Sequence, residues 1–97
     1  MTINEFSATF TQPTPPADLS PVLLALWHDA TGHWHKAHEI AQSREGVADY
    51  DQLHAYLHRQ EGDSANARYW YRRAGVPVFV GSLTDEWQAL AERFLNS

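Results

Sequence analysis

The sequence predicts an all-α domain, two tandem helical hairpins closed by a C-terminal capping helix. Three observations predict it. Apolar residues recur at three- and four-residue spacing in successive segments, the period of a helix with one buried face. Serine, aspartate, glycine and proline punctuate these segments where helices start and stop. A shift of thirty positions lays one part of the chain over another, which marks a repeated unit. Ninety-seven residues, 43% apolar and 20% charged, make one soluble domain with a thin core.

In chain order, residues 1–18 predict an extended arm, because three Thr and three Pro fall within Thr9–Ala17 and favour polyproline-like backbone. Phe6 and Phe10 can tack this arm onto the body. The helical domain is expected over 19–97. Its first helix opens with Ser20 as N-cap and Pro21 at the first position, where no amide hydrogen is needed. It carries Leu23, Leu24, Leu26 and Trp27 and closes near Ala30 before Gly32. The second covers about His33 to Ser43, with Trp34, Ala37, Ile40 and Ala41 on one stripe. The third covers about Ala48 to Gln60, with Tyr50, Leu53, Tyr56 and Leu57 inward. The fourth covers about Asp63 to Ala74, with Asp63 as cap and Ala67, Trp70, Tyr71 and Ala74 inside. Gly75 supplies a left-handed stop and Pro77 forbids continuation. Val76–Gly81 is β-branched, yet the chain offers no second strand to pair with it, so it is expected to be an apolar connector. Thr84 is expected to cap the last helix, where Trp87, Leu90, Ala91, Phe94 and Leu95 recur at helical spacing.

The thirty-residue shift aligns Leu23 with Leu53, Ala25 with Ala55, His28 with His58, Gly32 with Gly62 and Ala37 with Ala67. In each copy the Gly makes the turn and the small Ala residues sit where two helices approach closely. This spacing resembles the tetratricopeptide repeat (TPR). The second copy follows that pattern from Ala55 through Gly62-Asp63, Ala67, Tyr71 and Ala74, with His58 at a position usually aromatic. The first follows it through Ala25, His28, Gly32 and Ala37, and departs at Ala41 and Arg44. The string from His54 to Gly75, with Ala37-His38-Glu39-Ile40 upstream, is similar to a family of small TPR-like helical proteins without an established activity. The resemblance implies a TPR-like α-α superhelix and leaves function open. Two repeats alone leave apolar faces uncovered, so the last helix is expected to act as a lid, and a twin chain (a homodimer) would cover any remainder.

Two sets of residues could carry function. The first is a recognition surface of Arg59, Arg68, Tyr69, Arg72 and Arg73. Residues 59–73 hold four Arg against Glu61 and Asp63, a local +2, while three basic and ten acidic residues leave the rest at −7. Arginine beside an exposed tyrosine gives contact area and directional hydrogen bonds, so a non-enzymatic module binding a protein or peptide, also through the inter-helix groove, is the leading expectation. The alternative is a His-centred metal or small-ligand site, conceivably catalytic, from His38, His54 and His58, with Glu39 or Glu61 near. Six His are present, and His54 and His58 at i, i+4 share one helix side, a spacing that chelates zinc or another divalent metal. No nucleophile, base and oxyanion site are set together, so no catalytic residue is assigned and the reading favours a non-enzyme.

Absences narrow the field further. The chain has no Cys, which excludes disulfides and thiolate sites. A net charge of −5 opposes nucleic-acid binding. The longest apolar stretch, Val22–Trp27, is far short of the ~20 residues that span a bilayer. With no signal-like N-terminus, a cytoplasmic protein without membrane contact is expected.

Overall fold

A computed structural model describes residues 1–96; Ser97, the last residue of the expected 19–97 domain, lies outside the described residues. Six helices form: α1 (Ile3–Ala8), α2 (Pro21–Ala30), α3 (Trp34–Gln42), α4 (Ala48–Gln60), α5 (Ser64–Ala74) and α6 (Leu83–Leu95). A single 3₁₀ turn at Thr9–Thr11 follows α1. Among the described residues there is no strand, and the Val76–Gly81 segment is an irregular connector. No described helix is long and apolar enough to cross a membrane.

The elements start and stop for local reasons. Ser20 accepts the Leu23 amide and Pro21 opens α2. Asp63 accepts the Asn66 amide ahead of α5, and Gly75 ends that helix at φ +75°. The last helix begins two residues earlier than expected, because Ser82, not Thr84, takes the Asp85 amide as cap.

The arm is the main correction. Residues 3–11 are helical rather than extended, because Thr2 and Glu5 form a reciprocal capping box that starts α1. The prolines responsible for the extended expectation all lie beyond it, at 13, 15 and 16. Phe6 is fully buried and stacks on Trp87 of α6 at 6.2 Å, and Phe10 meets both rings edge-on.

Two helical hairpins, α2–α3 and α4–α5, pack through α3 and α4. Their corners agree bond for bond. Gly32 and Gly62 have φ +89° and +87°. Their amides donate to Asp29 and Arg59 carbonyls, both at 3.1 Å, and the next amides, of His33 and Asp63, reach back to His28 and His58 at 2.8 and 2.9 Å. Ala37 and Ala67 are both buried beyond their corners.

The main core joins Leu23, Leu26 and Trp27 of α2 to Leu53, Tyr56 and Leu57 of α4 and Leu90 and Phe94 of α6. A smaller cluster of Ala55, Ala67, Trp70 and Tyr71 ties α4 to α5, with Val76 and Phe79 of the connector against it. The last helix lies against both α2 and α4, so the chain itself covers the face those two helices share.

Candidate metal centre

The alternative site assembles where α3 meets α4. His38 comes from α3, and His54 and His58 from successive turns of α4, all facing the seam. One ring nitrogen from each histidine lies within 4.8 Å of the other two. His54 Nε2 and His38 Nε2 are 3.0 Å apart, so one ring donates its proton and the other accepts. His54 and His58 stack at 4.9 Å, and His38 stands edge-on to both, at 4.8 and 5.1 Å.

Two tryptophans wall the cluster. The indole of Trp34 stacks on His38 at 4.8 Å and is anchored by its own N–H, which donates to the Leu57 carbonyl at 3.0 Å. Trp70, from α5, stacks on His54 at 3.9 Å. Sequence reasoning placed both tryptophans in the apolar stripes and missed their second job of orienting the imidazoles. The i, i+4 spacing of Trp34 and His38 is the signal that could have shown it.

Electrostatics disfavour a proton on His54 and His38. Burial, then the neighbouring His38 and His58 rings, push His54 down to about 3. Burial also lowers His38, with His58 adding to the effect and Glu61 opposing it. His58 Nδ1 lies 2.7 Å from Glu61 Oε1. An ionised carboxylate can only accept, so Nδ1 of His58 donates there, and Nε2 is the nitrogen left to face a metal. A carboxylate behind an imidazole is the arrangement that orients metal-bound histidines. His54 Nδ1 is buried without a hydrogen-bond partner, and the ring is held by its Nε2 contact to His38 and by stacking on Trp70 and His58.

Of the five residues of the expected recognition surface, Arg59 is half-buried and the other four are exposed on α5, with Arg59 and Arg68 lining one shallow pocket. Arg59 turns inward: its Nη1 donates to the buried Glu86 carboxylate at 2.8 Å and its Nη2 to the Gly81 carbonyl. Tyr71 donates to the other oxygen of Glu86, so the half-buried Arg59 braces α4 against α6 through that carboxylate. Burial and that carboxylate raise the Tyr71 hydroxyl well above its ordinary range, which keeps it a donor. Glu86 was legible in principle, since it stands four residues before Leu90 on the buried stripe.

Arg68, Tyr69, Arg72 and Arg73 remain on the outer side of α5. Arg73 donates to the Tyr69 hydroxyl at 2.9 Å and lies over the Trp70 ring, and Arg72 sits 6.0 Å from the centre of Tyr69. Of the nearby carboxylates, Glu61 pairs with His58 and Asp49 with Arg93, while Asp51 and Glu45 lie close enough to Arg73 to favour its charge. Compared with models of known families, curated proteins and solved structures, the chain has no match.

Proposed function

We propose that the protein binds a divalent first-row metal, zinc foremost, through His38, His54 and His58. The single observation behind this reading is the convergence of three imidazoles from two helices onto one point. Four-coordinate zinc holds imidazole nitrogens at about 2.0–2.1 Å, and so at about 3.3 Å from each other. His38 and His54, 3.0 Å apart, already meet that spacing. No pair has to close by more than roughly 1.5 Å, which side-chain rotation supplies. Three imidazoles leave the fourth position of a tetrahedral ion open to water or an exogenous ligand, the arrangement of a site that presents a metal rather than seals it. Glu61 would serve as the carboxylate behind His58. The scaffold would be the pair of TPR-like hairpins, which pack on each other through α3 and α4.

Calorimetric titration of zinc into the full chain at pH 7.5 tests the proposal, with cobalt(II) absorption as the geometric readout. One equivalent should bind, with visible bands of tetrahedral cobalt. At a hundredfold excess over Kd, binding adds about 2.7 kcal/mol of stability, a rise of about 10 °C in Tm for a chain of this size. His38→Gln, the substitution at the least buried ligand, should abolish both. No heat and no thermal shift with zinc, cobalt or nickel, or unchanged binding by H38Q, would overturn the reading.

A second reading rests on a different observation. Tyr69 is 42% exposed beside Arg72 and Arg73, and none of Arg68, Arg72 and Arg73 has a carboxylate partner among the described ion pairs. That face suits an acidic segment of another protein. A fluorescent poly-glutamate peptide should bind the wild type and lose at least tenfold affinity to R72E/R73E; equal binding to both would remove this reading.

A further inference from the structure

On the far side of α4 from the histidines lies a cleft of about 540 Å³, where the end of α2 and the middle of α4 meet the 3₁₀ turn and α6. Its volume is in the range of small-molecule sites. Tyr56 and Gln60, which line it, stand roughly 160° round α4 from His54 and His58 at 100° per residue. The two sites are therefore independent.

The lining has a distinct chemistry. Three aromatic rings contribute, Phe10, Tyr56 and Trp87. The one ionisable acid is Asp29, and no Lys, Arg or His lines the space. The Trp87 indole nitrogen is buried and has no hydrogen-bond acceptor. Among the described residues Asp29 has no basic partner: its neighbours are the uncharged Gln60 amide and Tyr56, and burial raises its carboxyl above the usual carboxylate range. A carboxyl group facing aromatic rings without a basic counterpart is incomplete as a core feature. It is complete as a receptor for a cation, because carboxylate and ring faces both attract positive charge.

We infer that this cleft binds a small organic ammonium ion, its charged head against Asp29 and its alkyl body along Phe10 and Trp87. An anion would face Asp29 unassisted, and a neutral apolar molecule would leave that carboxyl without a counter-charge.

The test uses the full chain and three probes of equal length: butylammonium, butyrate and butanol. The Trp87 indole N–H resonance is followed by NMR during each titration. Butylammonium should produce a saturable shift, and butyrate none. Asp29→Asn should weaken butylammonium at least tenfold while the rest of the spectrum is retained, and Phe10→Leu should weaken it severalfold. Equal shifts from butanol and butylammonium would show an apolar cleft without charge selectivity and overturn the inference. So would the absence of any saturable response, or an unchanged affinity in D29N.

Discussion

Because His54 is sealed between Trp70, His58 and His38, a proton on its ring would be a buried cation beside other imidazoles. The unfolded chain binds that proton near pH 6.5, whereas folded His54 does so only at about 3. A folded-state value below the unfolded one contributes stability above the unfolded value and loses it as pH falls. The unfolded state holds the extra proton throughout that window, so stability drops by at most about 1.4 kcal/mol per pH unit for this group. Metal-free protein should accordingly unfold at lower urea at pH 5 than at pH 7.5, and His54→Phe, which keeps a planar ring on Trp70, should flatten the slope. A urea midpoint constant between those pH values would sink this account. The Arg59–Glu86 pair obeys a different rule. Glu86 is 1% exposed and depends on Arg59 and Tyr71 for its hydrogen bonds, so Arg59 matters through what its removal would strand.

At the scale of elements, the two corners offer a controlled comparison. Gly32 and Gly62 share the left-handed region, and a Cβ at either would meet nothing within 4 Å. Alanine at each therefore carries only the backbone penalty, about 1 kcal/mol. Gly32→Ala and Gly62→Ala should lower stability by the same amount within experimental error; a twofold difference in the denaturation free energies would show that the corners are not equivalent. Helices α2 to α5 were legible because caps, glycines and apolar stripes agree with one another along that stretch. The span of α4 was read at its observed bounds. The helix α1 was not read, because proline and threonine counts over eighteen residues concealed a four-residue signal, Thr2 to Glu5. The convergence of the histidines was legible from spacing once α3 and α4 were taken as neighbours. The inward turn of Arg59 was not, since it depends on a carboxylate twenty-seven residues away in α6.

At the scale of the whole molecule, α6 is the element on which the others depend. Leu90 and Phe94 are buried against α2 and α4, and Trp87 covers Phe6. Each such side chain is worth ~1.5–3 kcal/mol on burial, which in sum rivals the net stability of a domain this small, about 5–15 kcal/mol. Deleting residues 83–97 should abolish the cooperative melting transition and leave an aggregation-prone chain, and a truncated protein with an unchanged calorimetric endotherm would contradict that. The contact of α1 with α6 has a consequence for biosynthesis. Helix α1 has its resting place on α6, so the Trp87 side of Phe6 stays bare until α6 has left the ribosome. The stretch from α1 to α6 cannot settle progressively; its earlier helix must wait, with an aromatic flank uncovered, for the later one to emerge.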